Sequence, residues 1–143
     1  MAIRRSIPPT VINGTVTSPD ARFPNRADLS RYTLECTVTS VADLTDPTKS
    51  CSVFIEYMDD AGVWRSGGGS HWAGGDATHP ANAVFTVRSW EQTGGTVKDT
   101  LKGKRVRIKA TAPASDYETG LPLWEGTTGP VTVSAQIVDE RSN

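Results

Sequence analysis

The sequence predicts an all-β protein, a single antiparallel β-sandwich of the jelly-roll or Ig-like kind with seven to eight strands and an extended N-terminal arm. The main observation is period-two alternation, clearest at 104–110, where Val106 and Ile108 alternate with cationic residues. Alternation of this period is typical of a half-buried strand. The 143 residues suit one domain, and 13 glycines and nine prolines punctuate the chain as many short strands require. The best helix candidate, 91–101, is broken by two glycines.

The first 30 residues are predicted to form the arm, and residues 31–143 the β-sandwich domain. Four prolines in residues 1–30 oppose helix and favour extended chain: Pro8, Pro9, Pro19 and Pro24. A strand is expected near residues 10–17. Within it, Asn13-Gly14 fits either a type I′ hairpin turn or a bulge. We favour one bulged strand, because the flanking halves are too short for a stable hairpin.

The body is predicted to be a succession of strands separated by turns. Asp59–Gly62 is a turn signal and should join two strands in a hairpin. Gly67–Asp76 is interpreted as a glycine-rich loop, and residues 113–120 as another loop. The expected strands are 31–39, 51–58, 63–66, 83–90, 104–111, 121–124 and 131–138.

The two cysteines, Cys36 and Cys51, fall in phase with inward-facing positions of their strands. We therefore expect two free thiols that act as small core residues. A disulfide would require the strands to bring them together, and a reducing cytoplasm argues against one. Neither cysteine has a histidine nearby, so no zinc site is expected.

The Gly67–Asp76 segment contains Ser70, His71 and Asp76, which invites comparison with a Ser-His-Asp triad. No G-x-S-x-G elbow surrounds the serine, and no frame for an oxyanion hole is evident. His71, Asp76 and His79 could be imagined as metal ligands, but their spacing matches no established pattern. We therefore interpret the segment as a connection between sheets, and expect no catalytic residue, metal or cofactor.

Outward-phase residues supply candidate binding positions. Phe54 and Met58 are apolar residues on the outward phase of their strand, which suggests contact with another chain. Arg105, Arg107 and Lys109 form a cationic outer face that blocks aggregation or docks on an acidic protein surface. Nucleic acid is not expected as a partner, because the net charge is −1 and no aromatic residue interleaves with these cations.

Large aromatic residues allow a second interpretation. The four tryptophans lie near predicted strand ends or loops: Trp64, Trp72, Trp90 and Trp124. Most are expected to cap the core. Exposed tryptophans could instead stack on sugar rings, so a carbohydrate-binding or adhesion module that uses Trp72 is the alternative.

No apolar run reaches the length of a membrane span, and the N-terminus lacks the apolar stretch of a signal peptide. Synthesis in the cytoplasm is the expectation, with no membrane partner.

The organisation of the chain resembles that of the small decoration or cement proteins of tailed bacteriophages. The resemblance is carried by the arm Arg4-Arg5-Ser6-Ile7-Pro8-Pro9, by the strands beginning at Arg31, Cys51, Lys104 and Val131, and by Gly67–Asp76. It implies a homo-trimer or homo-dimer on the capsid exterior that staples neighbouring major capsid protein subunits. The arm would add main-chain hydrogen bonds by strand addition, and multivalency would strengthen attachment.

The sequence thus favours a non-enzymatic structural protein of the virion, with another head or tail component as a further alternative. The residues expected to contact the partner are Arg4, Arg5, Ile7, Pro8, Pro9, Phe54, Met58, Trp72, Arg105, Arg107 and Lys109.

Overall fold

A computed structural model describes residues 4–22, 32–74, 83–88 and 103–141. Within these ranges the chain forms strands and no helix. The nine strands are β1 (Arg4–Ile12), β2 (Gly14–Thr17), β3 (Ala21–Arg22), β4 (Tyr32–Val41), β5 (Ser50–Met58), β6 (Trp64–Ala73), β7 (Ala83–Arg88), β8 (Arg105–Ala112) and β9 (Val131–Arg141).

The strands form two antiparallel sheets. The four-stranded sheet has the order β1-β9-β4-β7, and the five-stranded sheet has the order β2-β8-β5-β6 with β3 also paired to β8. Strands β2 and β3 pair with successive stretches of β8, so they act as one interrupted strand. Counted in that way, the eight strands have the connectivity of a jelly roll. The predicted all-β sandwich is confirmed, and the strand order selects the jelly roll over the Ig-like alternative.

The core lies between the two sheets and follows the alternation seen in the sequence. Val106, Ile108 and Ala110 of β8 are buried, whereas Arg105 is exposed. The cluster of buried core residues consists of Ile7, Ile12, Cys36, Val38, Val41, Cys51, Val53, Ile55, Trp72, Val106, Ile108, Ala110, Ala112, Val131, Val133, Ala135 and Ile137. Burial of this apolar surface is the main favourable contribution to folding.

The N-terminal strands belong to the sandwich. β1 pairs with β9 in one sheet, and after Gly14, whose φ of 112° lies in the left-handed region, β2 pairs with β8 in the other. Ile7 and Ile12 are buried in the core. The prediction of a separate arm is therefore wrong for residues 4–22, and Asn13-Gly14 is a crossing between sheets, neither a hairpin turn nor a bulge.

Both cysteines are free and buried, as predicted. Cys36 lies on β4 and Cys51 on β5, so they belong to opposite sheets. Burial raises the pKa of each thiol to about 12, because the apolar core disfavours the thiolate. The two side chains thus act as small hydrophobic residues.

The glycine-rich segment forms a strand where a loop was predicted. β6 runs to Ala73 and pairs with β5, with Phe54 opposite Gly69. A Cβ atom at Gly69 would overlap the Phe54 ring and lie 2.9 Å from the Val53 carbonyl oxygen. Glycine is needed there because the phenyl ring occupies the space of a side chain. Residues 75–82, which include Asp76 and His79, lie outside the described ranges, as do Trp90 and 91–101.

The Gly69→Ala variant is expected to lose about 2 kcal/mol of unfolding free energy, because the added methyl group forces Phe54 to move. The matched control is Gly67→Ala. The nearest atom to a Cβ there is the Ile55 carbonyl oxygen at 3.5 Å, an ordinary contact. We expect the control to be neutral or more stable by up to about 1 kcal/mol. Equal denaturant midpoints for the two variants would contradict the proposed overlap.

Candidate functional site

The outer face of the five-stranded sheet is partly covered by residues 113–124, which we call the covering segment. The amide of Ala114 donates to Ser50 Oγ at 2.9 Å, and the amide of Ser115 donates to Ser52 Oγ at 3.2 Å. Both hydroxyls are fully buried. Because each buried hydroxyl has a backbone partner, the segment is fixed to the sheet at no cost in unsatisfied polar groups.

A buried carboxylate holds the middle of the covering segment. Glu56 on β5 is 2% exposed. Its Oε1 accepts a hydrogen bond from Arg107 Nε at 2.8 Å, and its Oε2 accepts one from the Tyr117 hydroxyl at 2.6 Å. Burial, and then the hydrogen bond to Glu56, raise the pKa of Tyr117 above its ordinary range, so the phenol keeps its proton.

The two apolar residues predicted to face outward do so, but the chain itself covers one of them. Phe54 is only 4% exposed. The ring of Tyr117 meets it edge-on with centroids 5.0 Å apart, and the ring of His71 does so at 5.5 Å. This corrects the expectation that Phe54 contacts another chain. Met58 is half-buried, with its Sδ atom 3.5 Å from Arg105 Nη1.

The cationic row of β8 is largely neutralised within the chain. Arg105 pairs with Asp20, and Arg107 with Glu56. The ammonium of Lys109 lies 5.1 Å from the centroid of the Tyr117 ring. Docking on an acidic partner through all three cations is therefore less favourable than the sequence suggested. In the described ranges, Lys109 has no carboxylate partner.

The tryptophans divide between core and surface. Trp72 is 3% exposed and belongs to the core cluster, so it cannot offer its ring to a sugar or a partner. Trp64 is half-buried under the guanidinium of Arg107, which lies 3.9 Å from its ring centroid. Trp124 is exposed at the end of the covering segment. The core-capping interpretation holds for Trp72.

A groove lies between the β5–β6 hairpin and the covering segment. It is open to solvent, has a volume of about 860 Å³, and is lined by residues that include Trp64, Arg107, Lys109, Tyr117 and Glu118. Its lining combines aromatic rings with charged groups of both signs. Sequence reasoning did not identify this groove, because Tyr117 and Glu118 reach it only when the covering segment folds back.

The covering segment also exposes apolar side chains. Leu121 is 65% exposed, and Leu123 and Trp124 are each 37% exposed. The predicted strand at 121–124 is reduced to one bridge between Ser115 and Pro122. The Leu123 amide donates to the Ala114 carbonyl at 3.0 Å, which holds the apolar tip against the anchored part of the segment.

Among the N-terminal candidates, Arg5 reaches this face: its Nε atom donates to the Asp20 carbonyl oxygen at 2.9 Å, and the Asp20 carboxylate pairs with Arg105. The other N-terminal candidates belong to the edge strand of the opposite sheet. Arg4 and Arg5 begin the edge strand β1, and Pro8 and Pro9 are exposed where the pairing of β1 with β9 shifts register. Ile7 is buried, which removes it from the predicted partner residues. The eleven predicted residues therefore do not form one surface.

Of the imagined Ser70–His71–Asp76 triad, the structure describes Ser70 and His71, and Asp76 lies outside the described residues. His71 Nδ1 lies 2.7 Å from the Oγ atom of Ser52, not paired with Ser70. Partial desolvation lowers the pKa of His71 from its ordinary value of 6.5, and the charge of Asp116 opposes this shift. Because Ser52 is fully buried, its hydroxyl is not accessible to a substrate.

The lowered pKa of His71 predicts a pH dependence of stability. The unfolded chain binds the proton more readily than the folded chain, so unfolding free energy should fall as the pH drops below about 6.5. Urea titrations at pH 7 and pH 5 measure this fall, and His71→Gln should make it smaller. His79 is present in both the wild type and the variant, so its contribution to the pH dependence drops out of the comparison. An identical fall in the variant would contradict the assignment to His71.

Among the described residues, no helix is long and apolar enough to cross a membrane, and no group of three or more His, Cys, Asp or Glu side chains could hold a metal ion.

The strand order places the chain among jelly-roll proteins. Comparisons with known proteins show a likeness of fold alone. No family model and no curated protein sequence matches the chain. The chain is similar to PNGase F, a glycosylasparaginase from Flavobacterium meningosepticum, with a TM-score of 0.54 and 12% identity over 100% of this chain and 43% of that chain. Recombinant PNGase F matches with a TM-score of 0.53 and 12% identity, over 99% of this chain and 42% of that chain. The chain thus spans less than half the length of PNGase F. A chain of Desmodium yellow mottle tymovirus matches with a TM-score of 0.40 and 11% identity, over 99% of this chain and 85% of that chain.

Proposed function

We propose that this chain is a non-catalytic structural protein of a virion, a decoration or cement protein that binds the exterior of a tailed-phage capsid. The observation that carries the proposal is the exposed apolar tip of the covering segment, formed by Leu121, Leu123 and Trp124. The jelly roll supports it as an architecture used by viral capsid proteins. The capsid is proposed as the partner because the organisation of the sequence resembles that of cement proteins.

The apolar tip has the properties of a docking element. Aromatic and large aliphatic residues form the energetic centres of protein interfaces, and Trp124 provides such an anchor. The hydrogen bonds of Ala114 and Ser115 to the sheet hold the tip in place before binding. A partner therefore does not have to order the segment, and more of the contact energy remains as affinity.

The proposed partner is the major capsid protein, and the proposed oligomer is a homo-trimer or homo-dimer. Several copies of the tip on one oligomer would convert modest single contacts into tight attachment. The edge strand β1, with Pro8 and Pro9 exposed, is a second contact available to a neighbouring subunit. Native mass spectrometry of the isolated protein measures the oligomer.

Co-sedimentation with empty particles of the encoding phage's major capsid protein tests the proposal. The Leu123→Ser/Trp124→Ser variant should bind the particles at least about tenfold more weakly, because two anchor side chains are lost. Val63→Ser is the matched control, since Val63 is also exposed but lies outside the covering segment. Wild-type binding by the double variant, or no binding by the wild type, would overturn the proposal.

A further inference from the structure

We infer that the groove beside the covering segment binds a neutral oligosaccharide. This activity goes beyond capsid attachment and uses different residues. The groove has a volume of about 860 Å³, within the range of small-molecule sites, and it combines aromatic rings with a few convergent polar groups. It replaces Trp72, which is buried, as the place where a sugar could contact an aromatic plane.

The lining of the groove includes a fixed cation–π stack of Arg107 on Trp64. The guanidinium of Arg107 lies over the Trp64 ring at 3.9 Å, and Glu56 holds its Nε atom at 2.8 Å. Glu56 is itself fixed from the other side by the Tyr117 hydroxyl. A stack held by a buried carboxylate loses little freedom when a ligand lies on it, which favours binding.

The charges of the groove favour a neutral ligand. Arg107 is neutralised by Glu56, and Arg65 by Asp59 at 2.9 Å. In the described part of the chain, Lys109 and the carboxylate of Glu118 are left without ionic partners. The Lys109 ammonium provides strong hydrogen-bond donors and the Glu118 carboxylate provides strong acceptors, and their opposite charges balance.

Sugar rings match that combination. Their hydroxyl groups both donate and accept, so they can bond Lys109 and Glu118 together, and hydrogen bonds to charged groups are the stronger kind. Their apolar C–H faces pack on planar aromatic surfaces such as the exposed part of the half-buried Trp64 ring. An anionic ligand would gain from Lys109 but would be repelled by Glu118.

Nuclear magnetic resonance titration of the full chain tests the inference. The probes are maltotriose, cellotriose and chitotriose, with trigalacturonate as the anionic comparison. The indole N–H of Trp64, assigned from its loss in Trp64→Phe, should show a saturable shift with at least one neutral trisaccharide. Lys109→Ala should weaken that affinity about tenfold, and so should Glu118→Ala. No saturable shift with any neutral probe, or a shift with trigalacturonate alone, would overturn the inference.

Two controls separate this result from the proposed function. Lys104→Ala removes a lysine that pairs with Asp60 outside the groove, and it should leave the affinity unchanged. The Leu123→Ser/Trp124→Ser variant should also keep saccharide binding while losing particle binding. If Lys109→Ala or Glu118→Ala binds as tightly as the wild type, the groove is not the site.

Discussion

Replacing Ile108 by alanine is expected to lower the free energy of unfolding by about 4 kcal/mol. Ile108 lies on β8, with β2 and β3 on one side and β5 on the other, and its side chain is fully buried. It is paired directly with Ile55 of β5. Removing its methyl groups would lose their burial and leave a cavity that the flanking strands cannot fill. Equilibrium urea unfolding measures the loss.

The matched control is Leu121→Ala, which removes a side chain of equal size from an exposed position. Because Leu121 is 65% exposed, its truncation should change stability by less than about 0.5 kcal/mol. A loss below about 1 kcal/mol for Ile108→Ala would contradict a packed core between these sheets. So would similar losses for the two variants.

Replacing Glu56 by alanine should cost about 3 kcal/mol, since it removes one partner from a buried network. Arg107 would lose the carboxylate at 2.8 Å, and the Tyr117 hydroxyl would lose its acceptor at 2.6 Å. The Arg107 side chain retains some exposure, which keeps the loss at the low end of the range for buried pairs. The covering segment should loosen, which thermal unfolding and proteolysis after residue 113 can both follow.

Glu118→Ala is the control for Glu56→Ala, because the Glu118 carboxylate is exposed on the covering segment and its removal should change the free energy of unfolding by less than about 0.5 kcal/mol. The Glu56→Ala/Arg107→Ala variant supplies the second test. Its loss should be smaller than the sum of the two single losses, because neither charge is then left alone. Additive losses would show that the two side chains do not interact in the folded protein.

Much of the sandwich could be predicted from alternation alone. β8 and β9 bury the residues on one phase, and the sequence places Val106, Ile108, Val131 and Val133 on that phase. The period of two is a property of the strand itself, so local sequence is sufficient to reveal it. The buried free thiols followed from the same reasoning.

The predictions that were wrong, the glycine-rich loop and the separate arm, concern segments where tertiary contacts override local sequence signals. Glycines at 67–69 normally indicate a loop, but pairing with β5 keeps them in a strand, and the ring of Phe54 occupies the space above Gly69. Prolines in residues 1–9 indicated a free arm, but the strand shifts register at Pro8 and Pro9 and still buries Ile7 and Ile12.

The candidate site was only half visible in the sequence. The outward phase of β5 and β8 correctly placed Phe54, Arg107 and Lys109 on one face. Nothing local shows that residues 113–124 return to cover that face, because the contact of Tyr117 with Glu56 spans 61 positions of the chain. One available signal was the run of polar residues at Ser50 and Ser52, whose burial requires partners from another segment.

Hydrogen–deuterium exchange of the chain, free and bound to capsid particles, tests the central claim most directly. The proposal predicts slower exchange on binding in peptides that cover residues 116–126, where the apolar tip lies. Peptides from Val131–Arg141, in the interior of the other sheet, should be unchanged. Unaltered exchange at 116–126 in a chain that does bind the particles would contradict docking through the covering segment.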